Sequence, residues 1–114
     1  MTFRTVCKTS DIPVGKGRRF AIDERQIVIF HLDDGFFATQ RRCTHAFAPL
    51  ENGVIENGKV RCPWHRAEFD VKTGDVARWA SFPPGVQLMN IFRSKKPLQT
   101  YPVKIEGEDI QVDL

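Results

Sequence analysis

Apolar residues fall in short alternating runs along this chain, each closed by a turn signal after roughly ten residues, the rhythm of an all-β domain. Val103 and Ile105 alternate with Lys104 and Glu106, and Ile110, Val112 and Leu114 alternate with Gln111 and Asp113. A period of two marks a strand with one face buried. Asp33-Asp34-Gly35 separates the run Gln26–Leu32 from Phe36-Phe37-Ala38-Thr39, and Glu56-Asn57-Gly58 separates Val54-Ile55 from Lys59-Val60-Arg61. Glu106-Gly107-Glu108-Asp109 separates Tyr101–Ile105 from Ile110–Leu114. Asn-Gly and Asp-Gly accept the positive φ of a tight turn, so these separations predict hairpins. Phe3–Lys8 and Arg18–Asp23 supply two more strands, joined by the loop Ile12-Pro13-Val14-Gly15. There is no repeat and no low-complexity segment. The expectation is an all-β fold, a small antiparallel β-sandwich or barrel, forming a single domain over residues 1–114.

The stretch from Arg78 to Gln99 breaks this rhythm. Trp79, Phe82 and Pro83-Pro84-Gly85 precede Val86-Gln87-Leu88-Met89-Asn90-Ile91-Phe92, then Arg93-Ser94-Lys95-Lys96-Pro97. Val86, Met89, Ile91 and Phe92 would share one side of a short helix. Two readings stay open: a loop packed over the sheet, or a surface for a partner or a second copy, since a connector needs less apolar material.

A chain of 114 residues suffices for one modest core, and 41% hydrophobic with 27% charged residues is ordinary for a soluble globular protein. Ala and Leu are sparse while Val, Ile, Phe and Thr recur, which supports the β reading. The formal charge of +3 is mild, and the basic residues are scattered among acids. Nucleic-acid binding calls instead for a basic stripe on one element, so no nucleic-acid partner is expected. Arg41, Arg42, Arg61 and Arg66 do adjoin the cysteine and histidine pairs described below. They are either solvated loop charges or a docking rim for an acidic partner. The longest clean apolar run is Ile27-Val28-Ile29-Phe30, too short for a signal peptide or a membrane span. Arg18-Arg19 is not a twin-arginine signal, because Asp23-Glu24 cuts off Phe20-Ala21-Ile22. Three cysteines, an odd number, argue against a disulfide framework. A cytoplasmic protein without a membrane partner is expected.

The chemistry is concentrated in two pairs: Cys43-Thr44-His45, then sixteen residues, then Cys62-Pro63-Trp64-His65. Each pair follows a predicted strand, and together they are a strong signal for one metal centre at Cys43, His45, Cys62 and His65. Structural zinc takes two cysteines and two histidines, but its usual knuckles group like ligands together. Here each knuckle offers one thiolate and one imidazole. That suits two unlike irons, with both cysteines on one and both histidines on the other. Zinc stays open as the alternative.

Cys-Thr-His…Leu…Cys-Pro-Trp-His…Phe-Asp…Thr-Gly resembles the Rieske [2Fe–2S] family, most of all the small Rieske ferredoxins of bacterial multicomponent oxygenases that hydroxylate aromatic rings. The resemblance runs from Ile12-Pro13-Val14-Gly15 to Tyr101–Gly107. It implies a β-sandwich with two cluster-binding loops, residues 43–50 and 62–70, at one tip. It also implies one [2Fe–2S] cluster on Cys43, His45, Cys62 and His65, with both histidines exposing their outer edge as exits for the electron. The implied role is that of a one-electron carrier, reduced by a flavin-dependent ferredoxin reductase and oxidised by a terminal oxygenase. It would be no enzyme alone and would have no small-molecule substrate of its own.

The same resemblance narrows the branch. Respiratory-complex Rieske proteins carry a further disulfide-bonded cysteine in each loop; the matching positions here are Ala48 and Trp64. Those proteins also donate hydroxyl hydrogen bonds to sulfur from a Ser and a Tyr, where this chain has Ala67 and Phe69. Such bonds stabilise the more negative reduced cluster, so their absence predicts a low-potential centre. The family often has Gly where this chain has Phe47 and Arg66, so the loop shapes differ, and a guanidinium beside the cluster would raise the potential somewhat.

No G-x-G-x-x-G turn follows a strand, so no nicotinamide or flavin site is expected. With His45 and His65 committed, no two-histidine, one-carboxylate iron site can form. Rival roles are an electron-transfer subunit of another reductase (nitrite-reductase-like), a redox-sensing or cluster-storing module, or a zinc-stabilised interaction domain. His31 reads as a strand-end surface residue and Cys7 as a small buried hydrophobe.

Overall fold

A computed structural model of the chain describes residues 3–42, 49–62, 67–78 and 98–114. The strands are β1 (Phe3–Lys8), β2 (Gly17–Ile22), β3 (Arg25–Leu32), β4 (Gly35–Gln40), β5 (Val54–Glu56), β6 (Lys59–Arg61), β7 (Glu68–Asp70), β8 (Val76–Arg78), β9 (Thr100–Tyr101), β10 (Val103–Glu106) and β11 (Asp109–Asp113). Single 3₁₀ turns occupy Thr9–Asp11 and Leu50–Asn52. The strands form three antiparallel sheets, ordered β1-β11-β10, β2-β3-β4-β9 and β5-β6-β7-β8.

The uninterrupted apolar run in β3 has a plain cause: the strand is buried on both faces. Ile27 and Ile29 point to one core, with Ala38, Ile110 and Val112. Val28, Phe30 and Leu32 point to the other, with Leu50, Val60, Cys62, Ala67, Phe69, Val71 and Leu98. The middle sheet is therefore sandwiched between the other two. Each fully buried Ile, Val or Phe contributes about 1.5–3 kcal/mol of burial free energy, so β3 anchors both layers.

The three expected hairpins form. Asn57 and Gly58 both have positive φ (54° and 76°), the two-residue geometry that Asn-Gly favours. An additional tight hairpin joins β2 to β3 through Asp23 (φ 47°) and Glu24 (φ 70°). Without a glycine it gave no turn signal. The single strand expected over Tyr101–Ile105 is broken at Pro102. Tyr101 pairs with Ala38 in the middle sheet, whereas Val103 pairs with Val112 in the first. Proline has no N–H to continue either ladder, and the chain changes sheets there.

β7 and β8 were not foreseen, being three residues each and joined by a compact turn. The Asp70 carboxylate accepts from the backbone N–H groups of Lys72 (2.8 Å) and Thr73 (3.3 Å). The Gly74 N–H donates to the Asp70 carbonyl (2.7 Å), and the Leu98 N–H donates to the Gly74 carbonyl (2.8 Å). Phe-Asp…Thr-Gly is thus a turn that receives the returning chain at Leu98.

His31 is not a mere surface residue. Its ring stacks on Phe36 at 4.0 Å and its Nδ1 lies 2.6 Å from the Ile12 carbonyl oxygen. Its backbone accepts from the Gly15 N–H (2.7 Å) and donates to the Lys16 carbonyl (2.9 Å). It clasps the 12–16 loop to the end of β3. Cys7 is half-buried against the core of Ile27, Ile29 and Ile110, close to expectation. Most of the Arg78–Gln99 stretch, residues 79–97, lies outside the described residues, and with it the choice between its two readings.

Candidate metal centre

Of the four candidate ligands, Cys62 is described; Cys43, His45 and His65 lie outside the described residues. What the structure places is the framework from which both ligand-bearing segments leave. The first departs after Arg42 and returns at Pro49, and these two residues form a β-bridge. The Leu50 N–H donates to the Arg41 carbonyl at 2.8 Å, closing the stem. The second departs after Cys62 and returns at Ala67, where the Cys62 N–H donates to the Ala67 carbonyl at 2.7 Å.

The two stems are one packed unit. Leu50, at the exit of the first, shares a core with Val60, Cys62, Ala67 and Phe69, which flank the second. Gly53 lies so close to β6 that a Cβ there would meet Val60 Cγ2 at 2.9 Å and the Leu50 oxygen at 3.2 Å, and the Arg61 oxygen closer still. A side chain cannot occupy that space without moving β6, the strand that leads into Cys62. The described stems of both candidate segments therefore rest on one core, which suits one shared centre.

Cys62 is fully buried and in no disulfide. Val60 and Cys62 share one face of the strand direction, toward the core, while Arg61 faces the other way and meets Glu68 at 3.7 Å. A buried thiol without a disulfide, at the mouth of a closed stem, fits a thiolate ligand. The donor set of two thiols and two imidazoles fits the same centre. Ala67 and Phe69 are also fully buried beside it, and neither side chain offers a hydrogen bond to sulfur.

The four arginines do not act alike. Arg41 carries a side chain only 14% exposed, and its guanidinium grips Glu51, itself 15% exposed. Nε donates to both carboxylate oxygens (3.2 and 3.0 Å) and Nη2 lies 3.0 Å from Oε2. Nη1 donates to Gln26 Oε1 at 2.6 Å. Arg41 is thus neither a solvated loop charge nor part of a docking rim; its charge is spent inside the first stem. Arg61 is half-exposed beside Glu68, Arg42 is exposed, and Arg66 lies outside the described residues.

Gln40 adds a second brace. Its Nε2 donates to the Arg42 carbonyl at 2.6 Å while its Oε1 accepts from the Gln99 N–H at 2.7 Å. Sequence reasoning missed Gln26, Gln40 and Glu51, whose local pattern signals no partner ten or more residues away, and Gly53, whose close approach to Val60 and Arg61 appears only once β5 and β6 pair. Elsewhere, a groove of about 510 Å³ runs between the 33–35 and 56–58 turns. It sits at the opposite ends of β4 and β6 from the two stems and carries no metal-ligand set among the described residues.

Comparison with known proteins agrees with this framework. The Rieske [2Fe–2S] domain matches residues 2–102. The chain is 36% identical to the biphenyl dioxygenase ferredoxin subunit of Pseudomonas sp. (strain KKS102), covering 99% of this chain and 93% of that one. It superposes on the ferredoxin of carbazole 1,9a-dioxygenase from Nocardioides aromaticivorans IC177 with a TM-score of 0.80 and 25% identity, covering 98% and 97% of the two chains. A chain in a complex of reduced oxygenase and oxidized ferredoxin in carbazole 1,9a-dioxygenase matches at 28% identity and a TM-score of 0.76, covering 96% and 91%.

Proposed function

This chain belongs to the Rieske [2Fe–2S] domain family, and we propose that it is the ferredoxin component of an oxygenase system acting on aromatic compounds. The observation that carries the reading is the match along nearly the full length of a dioxygenase ferredoxin subunit, 99% of one chain against 93% of the other. The cluster, when bound, supplies one-electron chemistry at a potential set by its ligands and their surroundings.

Cys43 and Cys62 would hold one iron through thiolates, and His45 and His65 would hold the other through imidazoles. The buried Cys62 thiol and the shared packing of the two stems support this ligand set. The core of Leu50, Val60, Ala67 and Phe69 excludes water from beneath the centre. The whole of residues 1–114 acts as one domain, since β11 (Asp109–Asp113) lies between β1 and β10 and completes their sheet. A flavin-dependent reductase supplies the electron and a terminal oxygenase accepts it. The protein works in the cytoplasm, a reading supported by its match along nearly its full length to a dioxygenase ferredoxin subunit.

Anaerobic purification or reconstitution tests the reading. About two irons and two acid-labile sulfides per chain, a red-brown colour and a reduced-state EPR signal of low average g are expected for a two-iron cluster with mixed ligands. A colourless protein with one zinc per chain overturns it. In a coupled assay, reduced protein should support turnover of an oxygenase that it alone cannot replace. Failure with oxygenases but transfer to a nitrite reductase would move the chain to a different reductase system.

A further inference from the structure

Resting on the ligand set proposed above, we infer that Arg41 and Glu51 form a positioning clamp for the Cys43–His45 segment and that their balanced charges hold the potential of the centre. Arg41 is two residues before Cys43 and Glu51 closes the same segment from its far side. The two side chains lock entry to exit, with three nitrogen–oxygen approaches of 3.0–3.2 Å. Backbone bonds reinforce the lock: the Arg41 N–H donates to the Gln26 carbonyl (3.2 Å) and the Arg41 carbonyl accepts from the Leu50 N–H (2.8 Å). An exposed ion pair contributes little, but this one is 14% and 15% exposed. At such burial, water screens charge weakly, and removing one partner strands the other.

Two consequences follow and have different signatures. As a clamp, the pair needs the planar fork of arginine, which a lysine ammonium cannot reproduce. As a charge balance, it needs both members. Reduction adds one negative charge, so a stranded Arg41 cation favours the reduced state, and a stranded Glu51 anion disfavours it.

Voltammetry of the holoprotein at one pH and low ionic strength reads the charge balance, with iron and sulfide counted on every variant. Glu51→Gln should raise the midpoint potential, Arg41→Gln should lower it, and the double variant should return close to wild type. A clamp that acted only by stiffness would move all three in one direction, with the double variant no further than the singles because either substitution already breaks the pair, and that result overturns the charge inference. Arg41→Lys separates the two roles: the potential should stay near wild type while a chelator strips iron several-fold faster. Equal stripping rates for Arg41→Lys and wild type overturn the clamp. If Arg41→Gln does not take up the cluster, Glu51→Gln and Arg41→Lys still decide both points. Failure of the ligand set itself looks different, as two irons retained in Cys43→Ala.

Discussion

Gly53→Ala tests whether the two ligand-bearing segments depend on one close approach. Gly53 has φ −78°, a value any residue adopts, so alanine brings no backbone strain. The whole penalty is the collision of a new methyl with Val60 Cγ2 (2.9 Å), the Leu50 oxygen (3.2 Å) and the nearer Arg61 oxygen. Val60 and Leu50 are fully buried and cannot swing aside, so β5 and β6 must part. Overpacking of this kind costs about 1–3 kcal/mol, and restricting the unfolded chain returns about 0.4–1 kcal/mol, leaving a net loss near 1–2 kcal/mol. In urea that moves the midpoint down by roughly 1 M for a chain of this size. Because the parting strands carry Cys62, a chelator should also remove iron faster. Gly58→Ala is the control: its φ of +76° brings strain of about 1 kcal/mol or more, but nothing lies within 4 Å of a Cβ there. It should lose stability without speeding iron release. A Gly53→Ala protein as stable as wild type, or equal iron release from both variants, would refute the reasoning.

Three further outcomes are expected. Ala67→Ser and Phe69→Tyr place hydroxyl donors beside the centre and should raise a wild-type potential that lies near the low end of the Rieske range, about −150 mV; a wild-type value above roughly +200 mV would assign the chain to the respiratory branch. Glu24→Gly relieves a non-glycine residue at φ 70° in an exposed turn and should raise the melting temperature by the equivalent of about 0.5–1 kcal/mol; a lower melting temperature contradicts it. Burial, and then the nearby Asp11 carboxylate, push the Cys7 thiol up to about 11 from 9.0. The folded state thus holds the proton more tightly than the unfolded one, so this contribution is intact below pH 9 and is lost as pH rises toward 11. Cys7→Ala should flatten that part of the stability curve in denaturant titrations.

Strands with a single core face were legible because their alternation is local. β1 begins and ends where the pattern predicts, and the Asn57-Gly58 and Asp34-Gly35 turns announce their hairpins. Asp23-Glu24 adopts the same positive-φ geometry without the residues that normally supply it. Its signal lies in pairing, since every residue from Gly17 to Ile22 registers against β3. The break at Pro102 is visible only once two sheets compete for one strand. β7 and β8 are too short for any period to show.

The metal centre divides in the same way. Its candidate ligands stand out in sequence because thiols and imidazoles at fixed spacing have few other uses, whereas its stems are held by partners ten to fifty-nine residues apart, such as Arg41 with Glu51 and Gln40 with Gln99. Arginines beside a motif look alike in sequence; burial decides that Arg41 braces the stem while Arg42 meets solvent. The direction of the Cys62 thiol has an equally nonlocal cause that begins in a local one. The Asn57-Gly58 turn fixes the pairing Glu56↔Lys59, Ile55↔Val60 and Val54↔Arg61. Since side chains alternate, that register turns Val60 and then Cys62 inward and Arg61 out toward Glu68. A slip of one residue would bury Arg61 and aim the thiol at solvent. The direction of the Cys62 side chain is therefore set four residues upstream, by a glycine at φ +76° where a Cβ would meet nothing within 4 Å.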